Sequence, residues 1–304
     1  MDFFADMLSV QLTLFCLIVA GILIKRIGIL NDAGRKALSD LLINVILPCN
    51  IVRSFMSGTQ ISGDFVQNCI LMVVLSTAIQ ITATCGSKLL FRKYSRKQKS
   101  VLSYGIICSN SSFVGLPIAE TLFGDLGVMY TSVFQIPIRF TMWTAGLALF
   151  TSVNRKDAFR KLVRHPCIIS IFIGLLMMVL PVQPPAFLDN TITAISRCTT
   201  PVSMLVIGSI LADASVKSLF SKPVLYYTFL RLLAFPLLVY LVLLPFHLDS
   251  VLVDLAVLMT GMPAGSTGAV LADQYDCDAP FYSELIFTST LLSILTIPLL
   301  TLLM

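Results

Sequence analysis

The chain has 304 residues, 57% of them hydrophobic and only 12% charged, with a mean hydropathy of +0.91. So apolar a chain cannot cover itself with a water-facing polar surface, which excludes a soluble globular domain and predicts an all-α polytopic membrane protein. The net charge of +5 comes from cations clustered between apolar runs and calls for no nucleic-acid partner.

Runs of about 20 mainly apolar residues predict ten transmembrane helices. The first five are 5–25, 34–56, 65–88, 100–123 and 126–152. The first reads as a retained span, because Met1 to Met7 carries Asp2 and Asp6 and lacks the basic segment of a cleaved signal. Span four is interrupted by polar residues, by Gly115 and by Pro117. The remaining spans are 166–182, 188–212, 223–245, 251–273 and 280–303, and span nine is interrupted by Gly261-Met-Pro-Ala-Gly-Ser-Thr-Gly268, which contains Pro263 and Gly265. Unwound backbone at bilayer depth survives only where it lines a cavity, so a pair of such spans marks the binding site of a secondary transporter.

Loop charge supports the count. All but four of the 21 Lys and Arg residues follow spans one, three, five and seven, and none lies in an intervening loop. The positive-inside rule then puts those loops in the cytoplasm and both termini outside, in a multi-pass protein of the plasma (inner) membrane. Five spans on each side of the middle force the second half to enter the membrane in the opposite sense. The expected organisation is a first five-helix repeat over 1–152, a cytoplasmic connector over 153–165 and a second, inverted repeat over 166–304. At an offset of 153 residues Gly21 matches Gly174, Pro48 matches Pro201 and Gly115 matches Gly268. The eight cysteines are scattered singly, without His at ligand spacing, and read as small buried hydrophobes. No metal and no cofactor is expected.

If spans four and nine cross at their breaks, two half-helix N-termini and two C-termini meet in one small region. Free N–H groups there can receive a carboxylate, and Ser109, Asn110, Ser111, Ser112, Ser266 and Thr267 supply amide and hydroxyl partners without a buried fixed charge. The four Arg outside the basic loops are Arg53, Arg139, Arg197 and Arg231. Arg53 is near a span end and can snorkel. Arg139 lies near the middle of span five, where it either binds an anion, closes off the pathway or caps the negative half-helix ends. Arg197 and Arg231 read as packing or interfacial cations, and His165 and His247 as interface residues. The embedded acids, Asp40, Glu120, Asp254, Asp273 and Glu284, fall mostly toward span ends, so the excess of central cations favours an anionic substrate.

Three stretches carry a family resemblance: Asn110-Ser-Ser-Phe-Val-Gly-Leu-Pro117, Met262-Pro-Ala-Gly-Ser-Thr-Gly-Ala-Val-Leu-Ala-Asp-Gln-Tyr275 and Ser289-Thr-Leu-Leu-Ser-Ile-Leu-Thr-Ile-Pro298. With the ten-span plan they resemble the auxin efflux carrier family, which includes plant auxin exporters and bacterial carriers described as malate or malonate permeases. The resemblance implies two inverted repeats, crossed helices four and nine, a scaffold of spans one, two, six and seven beside a mobile transport domain, and elevator-like alternating access. It also implies a carboxylate beside the crossing, a homodimer through the scaffold, and a substrate-contacting role for Asn110. Two features depart from the plant pattern. Asp64 is kept but Asn68 stands where a Lys is usual, and only about a dozen residues join the halves where many plant exporters carry a long cytoplasmic loop. A bacterial-type carrier fits better.

The expected function is secondary transport of a small organic carboxylate anion, with a proton or sodium as possible coupling ion and the lipid bilayer as its setting. A sodium-coupled bile-acid symporter-like carrier, a ligand sensor without transport and a channel are the rivals. An enzyme is not expected, since no G-x-S-x-G or H-E-x-x-H occurs and neither His lies in a central span.

Overall fold

The computed structural model describes residues 2–56, 63–151, 160, 163–180, 184–212, 221–265 and 267–302. Among them every regular element is helical: α1 (Asp2–Arg26), α2 (Asp32–Met56), α3 (Gly63–Leu90), α4 (Arg96–Ile107), α5 (Ser111–Leu149), α6 (Pro166–Val179), α7 (Ala186–Ser196), α8 (Thr199–Ala212), α9 (Lys222–Phe246), α10 (Ser250–Thr260), α11 (Thr267–Gln274) and α12 (Ala279–Thr301). Helices α2, α3, α5, α9 and α12 are long and apolar enough to cross a membrane, while α10 and the Pro166–Met177 part of α6 are apolar but shorter. This is a polytopic membrane protein. Helix α5 bends at Gly124, whose φ of 59° and ψ of −146° suit a residue without Cβ, and the bend falls between the predicted ends of spans four and five.

Local chemistry sets the helix ends and irregularities. Asn31, Ser95, Asp249 and Asp278 accept hydrogen bonds from first-turn N–H groups of α2, α4, α10 and α12. His165 does the same for α6, accepting from the N–H of Cys167 at 3.3 Å. Three of the four π-helical turns among the described residues, Leu42–Ile46, Ser111–Gly115 and Leu230–Ala234, each end two residues before a proline: Pro48, Pro117 and Pro236. A proline lacks an N–H and its ring pushes on the carbonyl four residues back, so the preceding turn widens instead of breaking. Gly115 and Pro117, expected to interrupt span four, therefore lie inside helical turns.

The chain divides into two compact units that each draw on both halves of the sequence. The first comprises residues 1–69, 112–133 and 163–213. There α1 packs against α8 at Gly21 and Gly208, where a Cβ on Gly21 would come within 2.5 Å of the Leu205 carbonyl oxygen. Helix α2 packs against α6 with Gly174 under the Phe55 ring, also at 2.5 Å from a built Cβ. The two contacts are related by the offset of 153, which carries Gly21 to Gly174 and Phe55 to Gly208. Arg53, read as able to snorkel, pairs with an acid here: its Nη1 lies 3.1 Å from Asp125 Oδ1.

The second unit comprises residues 70–111, 134–162 and 214–304. Its core gathers Leu102 and Tyr104 of α4, Tyr227 of α9, Leu252 and Leu255 of α10, and Tyr282 and Leu285 of α12, all fully buried. Gly105 is required beneath Tyr227, since a Cβ would come within 2.7 Å of the Tyr227 hydroxyl.

Candidate functional site

Within the second unit the chain leaves helical geometry at Cys108–Asn110, after α4, and again between α10 and α11. The two interruptions pair with each other. Ser109 and Ala264 form an antiparallel bridge in which the Asn110 N–H donates to Pro263 O at 2.8 Å and the Gly265 N–H donates to Cys108 O at 3.0 Å. Asn110 and Pro263 are themselves 153 residues apart. Gly265 is needed here, because a Cβ would sit 3.0 Å from the Cys108 carbonyl oxygen.

Buried backbone groups without partners are costly, so the neighbours matter. Ser289 of α12 accepts from the Ala264 N–H at 3.1 Å and donates to Leu285 O at 2.6 Å. The Tyr282 hydroxyl donates to Gly265 O at 2.9 Å. Arg231 of α9, only 3% exposed, donates from Nε to Met262 O at 2.9 Å and from Nη1 to Ile106 O at 2.7 Å. One guanidinium thus serves the carbonyls at the C-terminal ends of α4 and α10, where helix dipoles supply partial negative charge. No carboxylate among the described residues lies within ion-pair distance of it. Capping of the half-helix ends, one sequence reading of Arg139, belongs to Arg231, which is neither interfacial nor mere packing.

Over residues 7–301 the chain matches the family model described as membrane transport protein. The chain belongs to the membrane transport protein family. This is the auxin efflux carrier family that the motifs at Asn110, Met262 and Ser289 resemble, and its members are transporters rather than enzymes. An uncharacterized transporter of Methanothermobacter thermautotrophicus is 23% identical over 295 residues, covering 95% of each chain. A Rhizobium meliloti protein that carries the name "Putative malonate transporter" is 24% identical, covering 96% of this chain and 94% of its own. The Escherichia coli transporter YfdV, also uncharacterized, is 21% identical and covers 81% of each.

In this family member the predicted site residues fall into three groups. Ser109, Asn110 and Ser111 join Pro263 and Gly265 at the bridge. Asn110 is buried, and its side-chain amide makes no hydrogen bond with any other described residue. Arg139 reaches the same stretch indirectly: its Nη2 donates to Gln135 Oε1 at 2.9 Å, and Gln135 Nε2 donates to Ser111 O at 3.3 Å. Thr267, at the start of α11, accepts from the Tyr104 hydroxyl at 3.4 Å. Gly261 caps α10, and Gly268 packs against the Tyr282 ring within α11. Ser266 lies outside the described residues. A groove of about 600 Å³ lined by Thr77, Gln80, Pro137, Phe140 and Thr144 has almost wholly apolar walls and contains none of these residues. Among the described residues no cluster of His, Cys, Asp and Glu has the arrangement of a metal site.

Gln135, Arg231, Tyr282 and Ser289 escaped the sequence reading as site residues. Ser289 had a signal as the first residue of the third family stretch, and Arg231 as one of the four Arg outside the basic loops, where it was read as a packing or interfacial cation.

Proposed function

We propose that this transporter moves a small organic carboxylate anion by elevator-like alternating access, with the anion held beside the paired interruptions at Asn110 and Pro263. The observation that carries the reading is Asn110, a residue only 6% exposed at the bridge, whose side-chain amide bonds no described partner. The carbonyls of Ile106, Ser111, Met262 and Gly265 already accept from Arg231, Gln135 and Tyr282, and the Asn110 amide offers two N–H donors to an anion. The helices restarting at Ser111 and Thr267 add first-turn N–H groups beside it. Arg139 is the nearby fixed cation, steered through Gln135.

Ten spans in two inverted repeats, a homodimer and a plasma-membrane location with both termini outside belong to the same reading. The glycine contacts related by the 153-residue offset support the repeats. The name of the Rhizobium meliloti relative makes malonate the first anion to try.

The test is uptake of radiolabelled malonate, malate, succinate, lactate and indole-3-acetate into proteoliposomes, with and without sodium and with an imposed pH gradient. Saturable uptake of one acid is expected, with KM raised about tenfold or more in Asn110→Ala, the size of a lost hydrogen bond to a charged group. No uptake of any acid, or uptake unchanged in both Asn110→Ala and Arg139→Ala, refutes the assignment.

A further inference from the structure

We propose that Glu120 is a proton-binding site of this transporter and that its protonation is the ion-coupling step. The coupling half of the statement rests on the carboxylate-carrier reading; proton binding at Glu120 does not.

The site lies wholly within the first unit. Asn50, 1% exposed on α2, donates from Nδ2 both to Glu120 Oε2 at 2.9 Å and to Thr199 Oγ1 at 2.9 Å. Thr199 spends its own hydrogen on Ser196 O at 2.7 Å, so in this arrangement its oxygen accepts from Asn50 and the amide points its N–H groups at Glu120 and Thr199. The other end of that amide, Asn50 Oδ1, is buried and accepts no hydrogen bond from any described residue. Arg53, one turn further along α2, places Nη1 3.1 Å from Asp125 Oδ1 but 4.0 Å from Glu120 Oε1. Arg53 and Asp125 are the charged groups that face Glu120 among the described residues.

Charge decides what this arrangement is for. Two carboxylates share one guanidinium, the guanidinium sits on Asp125, and Glu120 is left with one amide donor although its side chain is only 25% exposed. An excess negative charge held there invites one positive charge. A metal cation is a poor match, because Asn50 presents N–H groups toward both Glu120 and Thr199 where a cation needs oxygens. A proton needs a single carboxylate oxygen. Once it binds, Glu120 becomes neutral, Arg53 and Asp125 are left as a balanced pair, and the acid presents an O–H. A half-turn of the Asn50 amide, with the Thr199 hydroxyl swinging from Ser196 O to donate to the amide instead, brings Oδ1, the atom without a partner, to accept that O–H. One asparagine therefore serves both states, donating to the carboxylate and accepting from the acid. Because Asn50, Glu120 and Thr199 lie on α2, α5 and α8, the exchange changes the hydrogen bonds that tie three helices together.

Infrared difference spectroscopy of the reconstituted protein tests proton binding without any substrate. Lowering the pH should raise a protonated-carboxyl band in the wild type that Glu120→Gln lacks. Identical titrations in the two proteins overturn the proposal, as does a change at Glu120 driven by sodium at constant pH, which would make it a metal-cation site. Should Glu120→Gln not fold, Asn50→Leu carries the test. Loss of the amide donor should move the band's midpoint about one unit to higher pH, since a hydrogen bond to the charged form favours it; an unmoved midpoint overturns the proposal. Coupling is read separately. Uptake of the transported acid should respond to an imposed proton gradient in the wild type and not in Glu120→Gln. A Glu120 that titrates while wild-type uptake ignores the gradient overturns coupling, and absence of all carboxylate uptake refutes the carrier reading while the infrared result stands.

Discussion

Two polar residues at the paired interruptions have opposite expected roles, and substitution separates them. Arg231 holds two buried carbonyls, so Arg231→Ala leaves Ile106 O and Met262 O without donors, at about 1–3 kcal/mol for each. Melting temperature and transport should fall together. Arg231→Lys keeps the charge but replaces a planar fork by a single ammonium, and should recover only part of the stability. Asn110→Ala removes an amide that bonds no described residue, so the melting temperature should stay within a degree or two while the KM rises about tenfold. Thermal unfolding in detergent read beside uptake checks the contrast, and a large loss of stability in Asn110→Ala would return that residue to a structural role. Arg231 stood out in the chain as an Arg outside the basic loops, but its role as a carbonyl clamp was not legible. Its partners are main-chain carbonyls 31 and 125 residues away, and no side-chain pattern marks a carbonyl that needs a donor.

At the scale of elements, close approach of helices and widening of turns follow from single residues. A Cβ on Gly208 would fall on the Ile18 carbonyl oxygen of α1, which is backbone and cannot swing aside. Gly208→Ala should therefore push α1 and α8 apart and cost about 1–3 kcal/mol, as overpacking does. Gly86 of α3 meets nothing within 4 Å, so Gly86→Ala is the control and should be neutral or stabilising by about 0.5–1 kcal/mol. Equal effects of the two changes on thermal unfolding would refute the packing argument. The interruptions were legible as polar, Gly- and Pro-rich stretches, but the first was displaced along the chain. Pro117 is absorbed by the π-turn Ser111–Gly115, and the non-helical residues are Cys108–Asn110, because that is where the segment Pro263–Gly265 pairs. Pairing over such a separation is a tertiary event that local sequence does not fix.

For the whole molecule, hydropathy made the polytopic, all-helical character plain; the compact units do not follow the division into halves, and the segments 1–69 and 163–213 of the first cover the predicted spans one, two, six and seven that the resemblance groups together. Each unit takes helices from both sides of the connector, as expected if two similar five-helix sequences interlock rather than fold side by side. The offset of 153 links Gly21 to Gly174, Phe55 to Gly208 and Asn110 to Pro263, and in each case the linked residues make equivalent or mutual contacts. A direct repeat and an inverted repeat both predict such an offset; topology tells them apart. On the proposed reading, five spans per half reverse the chain's sense, so the N- and C-termini should share the outer side, with the Lys- and Arg-bearing connector 153–165 inside. Epitope tags at each terminus should be cleaved by protease added to intact spheroplasts, and a tag inserted after Asn154 only after lysis. Termini found on opposite sides would require an odd number of crossings, which no pair of equal halves can supply, and would remove the inverted repeat along with the crossing of oppositely directed helices built on it.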